Sequence, residues 1–205
     1  MNASTFQAMK TAPRWLLRKG KIPYYAATLR PRMKTDTHED QSQLVTFDEA
    51  SDHRDRHSAQ NPSLVLDFGF ALGPDEHGGY WQGIDLDKVT QNNLQDLENK
   101  LPGYIEKSPS GNGVHAIGYG TYFAALGSND TGIEAYSSGR FFTFTGAMLQ
   151  DSTLTDLTAF VAESLKPRHS LRQQSKTASG QSKANPHGAV ETVTQQQLRV
   201  DVLGA

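Results

Sequence analysis

Short apolar runs, separated by Gly, Pro, Asn and Asp, dominate the pattern along this chain and predict many short β-strands. The opening segment contains Trp15–Leu17 and Ile22–Tyr25, which predicts a short helix followed by two short strands around Gly20. Further strands are predicted at 63–72, 80–87, 104–108, 114–119, 132–137 and 140–148. The last two of these are joined by a short turn at Ser138-Gly139, as in a hairpin.

Three further segments have helical signals. Thr46-Phe47-Asp48-Glu49 has the Thr-x-x-Glu form of a capping box and predicts a helix that runs to about His57. A second helix is predicted near Thr90–Lys100. A third is predicted over Asp151–Leu165, with its first or second residue as the cap. Its apolar residues recur at helical spacing, at Leu154, Leu157, Phe160, Val161 and Leu165.

The strand and helix signals lie in residues 1–165, which we predict to form one antiparallel α+β domain. Within this domain, residues 31–45 are polar and predict a loop. Residues 166–197 are rich in Ser, Gln, Lys, Asn and Gly, with almost no large apolar side chains. Such a composition cannot supply a core, so we expect 166–205 to be a flexible, basic, low-complexity tail.

Composition excludes several classes of site. The chain has 205 residues and no cysteine, which excludes disulfides, cysteine-ligated zinc and thiol chemistry. No apolar run approaches the ~18 residues of a membrane span, and the N-terminus lacks the apolar core of a signal peptide. We therefore expect a protein of the cytoplasm with no membrane partner.

A formal net charge of −2 conceals an uneven distribution of charge. Residues 1–34 carry eight basic and no acidic side chains, 35–165 carry six basic and 20 acidic, and 166–205 carry six basic and two acidic. Basic flanks beside an acidic centre suggest polyanion binding next to a carboxylate site that needs cations. A solvated basic helix and a solvated tail would give the same pattern.

The segment Gly83–Asp87 carries the most informative pair of acids. In a strand, Asp85 and Asp87 share one face, while Ile84 and Leu86 point to the other. Carboxylates at neighbouring positions of one face repel each other, and a hard divalent cation such as Mg²⁺ removes this repulsion. The alternative is a pair of acids on a solvated sheet face.

A Ser/Gly-rich loop follows the strand predicted at 104–108. Its glycines permit a tight turn whose backbone N–H groups face a phosphate, and its histidine, at the start of the next strand, can donate to a phosphate oxygen. The alternative is an ordinary hairpin turn with a surface histidine. The candidate phosphate-binding residues are Lys107, Ser108, Ser110, Gly111, Gly113 and His115.

A third acid lies in the strand predicted at 132–137. If this strand neighbours the one with Asp85, Glu134 completes a cluster of three carboxylates, as two-metal phosphoryl transfer requires. Arg140, just beyond the turn, then suits a triphosphate. The phenylalanines at 141, 142 and 144 are expected in the core.

Three motifs in this order resemble the primase-polymerase domain of phage and plasmid replication proteins, a branch of the archaeo-eukaryotic primase superfamily. The first is Gly-Ile-Asp-Leu-Asp at 83–87, and the second is Ser-x-Ser-Gly-x-Gly-x-His at 108–115. The third is Gly-Ile-Glu-x-Tyr-x-x-x-Arg-Phe-Phe-Thr-x-Thr-Gly at 132–146. The resemblance covers about residues 10–165, and each motif gains its specificity from the other two.

The resemblance implies an RRM-like antiparallel catalytic core joined to an N-terminal α/β unit. It also implies a DNA primase/polymerase of a bacterial host that synthesises primers on a single-stranded DNA template from (d)NTPs. Asp85, Asp87 and Glu134 then correspond to the catalytic ligands of two Mg²⁺ or Mn²⁺ ions. His115 corresponds to the histidine that contacts the nucleotide's phosphates, with Lys107, Ser108, Ser110 and Arg140 beside it. No zinc is expected, and a separate helicase or initiator is a candidate partner.

Two other functions remain open. A rolling-circle initiator nuclease needs a His-hydrophobic-His pair and a nucleophilic tyrosine, but Ala116 and Ile117 follow His115 with no second histidine. A non-catalytic RRM-like binding protein would carry aromatic residues on its central strands, where this chain has acids. Selection between ribo- and deoxynucleotides is also open, with Tyr136 as the candidate residue.

Overall fold

The computed structural model describes residues 3–87, 96, 97 and 99–170. Most of the helix predicted at 90–100 and residues 171–205 of the predicted tail lie outside these ranges. None of the helices in the described part of the chain is long and apolar enough to cross a membrane. The named helices are α1 (Thr5–Thr11), α2 (His38–Gln41), α3 (Phe47–Gln60) and α4 (Thr158–Phe160). The last of these, α4, continues as a π-helical turn (Val161–Leu165) and then as helix at 166–170. Residues 96 and 97, inside the helix predicted at 90–100, are also helical.

The strands in the described ranges form two antiparallel sheets, so the chain is α+β, as predicted. The first sheet has the order β2-β1-β3-β9. The second has the order β10-β6-β7-β5-β4, and β8 pairs with β5 on the side of β4. The strands are β1 (Trp15–Lys19), β2 (Ile22–Tyr24), β3 (Asp67–Ala71), β4 (Gly73–Pro74), β5 (Tyr80–Leu86), β6 (Tyr104–Lys107), β7 (Val114–Gly120), β8 (Ile133–Tyr136), β9 (Phe141–Thr143) and β10 (Met148–Asp151).

The N-terminal elements agree with the local signals, with one exception. The predicted capping box forms at the start of α3: Thr46 accepts from the backbone N–H of Glu49, whose carboxylate accepts from the backbone N–H of Thr46. The exception is α2, a short helix inside the predicted loop 31–45. Thr37 caps this helix, and the Arg32 guanidinium binds the buried Asp40 carboxylate with contacts of 2.6 and 2.7 Å.

The turn at Ser138-Gly139 does not form a hairpin. It joins β8, which pairs with β5 in the second sheet, to β9, which pairs with β3 in the first. The strand predicted at 140–148 is also shorter than expected: β9 ends at Thr143, and the next strand, β10, begins at Met148 and runs to Asp151. Between these two strands, the backbone N–H groups of Thr145 and Gly146 donate to the side chain of Glu106.

The last helix begins later than predicted, at Thr158 and not near Asp151. Long-range contacts hold the residues before it: the backbone N–H of Tyr119 donates to the carbonyl of Thr155 at 3.0 Å, and the side-chain oxygen of Gln82 accepts from the backbone N–H of Leu157 at 2.7 Å. The helical periodicity is nevertheless correct for Val161 and Leu165, which are buried. The helix continues to residue 170, beyond the predicted domain end at 165.

Two hydrophobic cores cover opposite faces of the second sheet. One face packs on the first sheet, and Gly83 of β5 lies so close to β9 that a Cβ there would come 2.5 Å from the Phe142 ring. The other face packs on the C-terminal helix. Since Asp85 alternates with Ile84 and Leu86 of the helix-facing core, it lies on the face that meets the first sheet.

Candidate functional site

Four polar side chains form a row across four adjacent strands of the second sheet. Glu134 of β8 is directly opposite Asp85 of β5, and Asp85 is directly opposite His115 of β7. His115 is in turn opposite Glu106 of β6. Directly paired residues of antiparallel strands point to the same face, so this register brings Asp85, Glu134 and His115 together. The neighbouring strands on which the meeting of Asp85 and Glu134 depends are therefore present.

The imidazole of His115 is held from several sides and is 6% exposed. Its Nδ1 lies 3.2 Å from the carbonyl oxygen of Thr143, and the Phe142 ring stacks on it with centroids 4.8 Å apart. Its Nε2 lies 3.7 Å from Oδ1 of Asp85. A carbonyl accepts but cannot donate, so Nδ1 carries a hydrogen and Nε2 is the nitrogen turned to Asp85.

Asp85 has the most perturbed carboxylate of the row. Burial raises its pKa to about 6, and the charges of Glu134 and Asp87 act in the same direction, while His115 opposes them. Among the described residues, its buried Oδ1 has no hydrogen-bond partner. A buried carboxylate oxygen without a donor is costly, and a cation beside it would remove that cost.

Glu134 is linked to Arg140 through Tyr136. The hydroxyl of Tyr136 donates to Oε2 of Glu134 at 2.6 Å, and the guanidinium of Arg140 lies 5.0 Å from the centre of the Tyr136 ring. Burial and the bond to Glu134 raise the pKa of Tyr136, against the effect of Arg140. Tyr136 thus contacts both Glu134 and Arg140, the residue predicted to bind the triphosphate. Tyr136 is buried, which makes it a support for Glu134 more than a surface for substrate.

Asp87 follows the end of β5 and meets the Ser/Gly loop. Oγ of Ser110 lies 3.4 Å from Oδ1 of Asp87 and 3.0 Å from Oγ of Ser108. The loop closes by a bond from the backbone N–H of Ser108 to the carbonyl of Gly113, and Gly111 has a positive φ of 74°. The loop therefore contacts Asp87 through Ser110, and Lys107 is exposed at the start of the loop.

Glu106 is a site residue that the motifs did not identify. Its carboxylate is fully buried and accepts from the backbone N–H groups of Thr145 and Gly146 and from the hydroxyl of Tyr104. Its Oε1 lies 3.6 Å from Nδ1 of His115. The sequence contained a usable signal: if the Ser/Gly loop closes a hairpin, the residue before Lys107 faces His115 across it.

The donor set suits a hard divalent cation, although the side chains do not converge on one ion. In the described ranges, no group of three or more His, Asp or Glu side chains is arranged to hold a metal. Asp85, Asp87 and Glu134 offer only carboxylate oxygens, the ligands of Mg²⁺ and Mn²⁺, and the buried Oδ1 of Asp85 has no hydrogen-bond partner among the described residues. The chain matches no protein-family model and no curated protein.

Proposed function

We propose that this chain is a template-directed nucleotidyltransferase, a DNA primase/polymerase that makes primers on single-stranded DNA from (d)NTPs. The observation that carries the proposal is the register that sets Glu134, Asp85 and His115 side by side on three adjacent strands. The three motifs of the resemblance, at 83–87, 108–115 and 132–146, thereby meet at one end of one sheet. Carboxylates beside a phosphate-binding loop suit the transfer of a nucleotidyl group.

The architecture supports an RRM-like core as part of this proposal. In the second sheet, β7 lies between β5 and β6, and β8 lies on the other side of β5, with all neighbours antiparallel. A split arrangement of this kind, with helix packed on one face, is characteristic of RRM-like and ferredoxin-like sheets. The first sheet, with α1 to α3, then corresponds to the N-terminal α/β unit.

Asp85, Asp87 and Glu134 would hold the divalent cations. When bound, Mg²⁺ or Mn²⁺ supplies the positive charge that activates the attacking 3′-hydroxyl and stabilises the pyrophosphate that leaves. The chain itself orients these ligands: Tyr136 donates to Glu134, and Ser110 contacts Asp87. The sheet register keeps Asp85 opposite Glu134.

The triphosphate would lie between the Ser/Gly loop and Arg140. His115 contacts it through Nε2, because Nδ1 is committed to Thr143. In the imidazolium form, Nε2 would donate to a phosphate oxygen. Lys107 and Arg140, both exposed, supply further positive charge.

The basic N-terminal segment would contribute less to template binding than its charge suggests. Arg14 and Arg32 are buried, and Arg18 pairs with Asp67 at 2.9 Å. The exposed cations of this segment are Lys19, Lys21, Arg30 and Lys34. Their contacts with a DNA backbone would weaken steeply with salt.

Primer synthesis on unprimed single-stranded DNA tests the proposal. Labelled NTPs and dNTPs are supplied separately, with Mg²⁺, Mn²⁺ or EDTA. We expect metal-dependent products from the wild-type chain and a loss of at least about a hundredfold in the double variant Asp85→Asn with Asp87→Asn. The matched control is Glu163→Gln, which removes an exposed carboxylate on the last helix. Normal synthesis by the double variant, or none by the wild type, contradicts the proposal.

A further inference from the structure

Glu106 is a fully buried carboxylate at the far end of the polar row. Burying such a group is unfavourable unless donors compensate it, and three residues do so. The backbone N–H of Thr145 lies 3.0 Å from Oε1, while the N–H of Gly146 and the hydroxyl of Tyr104 each lie 3.0 Å from Oε2. The carboxylate thus fixes the chain where β9 ends.

That segment of chain also fixes His115. Thr143, two residues before Thr145, supplies the carbonyl that accepts from Nδ1 at 3.2 Å, and Phe142 supplies the ring stacked on the imidazole. Glu106 adds a direct contact, since its Oε1 lies 3.6 Å from Nδ1. The same carboxylate therefore acts on the imidazole both directly and through the β9 backbone.

We propose that Glu106 is a positioning residue that fixes the ring of His115, so that Nδ1 faces Thr143 and Nε2 faces Asp85 and the bound triphosphate. The part of this inference that concerns the triphosphate rests on the proposed function. The orientation of the ring does not rest on the proposed function, because the ring has this orientation in the chain without nucleotide or metal. Glu106 itself is buried beneath the site and would contact neither the nucleotide nor the metal.

A purely structural role makes different predictions. If Glu106 merely stabilised the turn at 143–146, its replacement would lower the melting temperature, and its effect on nucleotide use would be independent of His115. If it acts through His115, its effect on KM disappears once the imidazole is removed. A double-mutant cycle separates the two roles.

The first experiment compares Glu106→Gln, His115→Ala and the double variant in primer extension. Glutamine keeps the shape and one acceptor oxygen of Glu106. We expect Glu106→Gln to raise the KM for nucleotide on the order of tenfold with a smaller change in kcat, and to add nothing in the His115→Ala background. The control is Asp156→Asn, a hydrogen-bonded carboxylate near the last helix, which should lower the melting temperature and leave KM unchanged. Additive effects of the two single variants overturn the proposal.

The second experiment needs no activity. Nitrogen-15 NMR of the His115 ring, at one fixed pH and without metal or nucleotide, reports which nitrogen carries the hydrogen. We expect Nδ1–H in the wild type and a mixture of tautomers in Glu106→Gln. An Nε2–H ring in the wild type overturns the proposal even if the variant does not fold. A chain with the expected spectra that makes no primers overturns the proposed function alone.

Discussion

Asp85 and Glu134 lie directly opposite each other on β5 and β8, with both side chains on the face that meets the first sheet. Burial raises the pKa of Asp85 to about 6, and the neighbouring acids Glu134 and Asp87 act in the same direction. When these groups are ionised and no cation is bound, their desolvation and repulsion oppose folding. The pair therefore destabilises the metal-free chain, and a bound cation would reverse the effect.

The first prediction concerns pH. The folded pKa of Asp85, about 6, exceeds the ordinary value of 3.8, so the folded chain binds more protons than the unfolded chain between these values. The contribution of Asp85 to stability should therefore fall as pH rises from about 4 to about 6. Urea denaturation with EDTA measures this: relative to wild type, Asp85→Asn should gain on the order of 2 kcal/mol across this window. A pH-independent difference between the two proteins would contradict the assignment.

The second prediction concerns metal. Mn²⁺ or Mg²⁺ at about a hundred times its Kd should stabilise the folded chain by about 2.7 kcal/mol, which raises the melting temperature by several degrees. The increase should be lost in Asp85→Asn and in Glu134→Gln, since each removes one ligand charge. Thermal melts with and without metal measure it. Glu163→Gln, with its exposed carboxylate, should keep the full increase; a loss there would point to non-specific binding.

The third prediction concerns the packing of β5 on β9. A Cβ at Gly83 would lie 2.5 Å from the Phe142 ring and 2.6 Å from Cδ1 of Leu72, so Gly83→Ala should destabilise the fold by about 1–3 kcal/mol. Adding Phe142→Leu should recover part of this loss, and the double variant should be more stable than the sum of the single effects predicts. Urea denaturation measures all three. Gly127→Ala, where a Cβ meets nothing within 4 Å, is the neutral control.

Local sequence patterns predicted the structure correctly where it depends on residues that are close together in sequence. The capping box at Thr46 and Glu49 forms as predicted, because both partners lie within one turn. Alternation along 83–87 correctly placed Asp85 on the face opposite Ile84 and Leu86 for the same reason. The meeting of Asp85 with Glu134 could be stated only conditionally, since it depends on pairing between β5 and β8, strands about 50 residues apart in sequence.

Two of the incorrect predictions share one feature, a distant side chain that binds a backbone N–H group of the predicted element. Glu106 binds the N–H groups of Thr145 and Gly146, between β9 and β10. Gln82 binds the N–H of Leu157, 75 residues away, just before the last helix begins. Neither contact can be predicted from the local sequence. Hydrophobic periodicity indicates on which face a side chain lies, and it does not indicate which group a backbone N–H binds.

The fourth prediction concerns where the folded domain ends. The helix at 166–170 is anchored by His169, whose Nε2 donates to the carbonyl of Gly127 at 2.8 Å and whose carbonyl accepts from Asn129 at 3.2 Å. A chain ending at residue 165 loses both contacts and should be less stable by about 1–3 kcal/mol. A chain ending at 170 should melt like the full chain, since residues 171–197 offer few apolar side chains for a core. Thermal melts of both truncated chains, with His169→Ala in the full chain as the matched variant, measure this. If the chain ending at 170 is as unstable as the one ending at 165, the C-terminal residues contribute to the fold and the predicted tail is wrong.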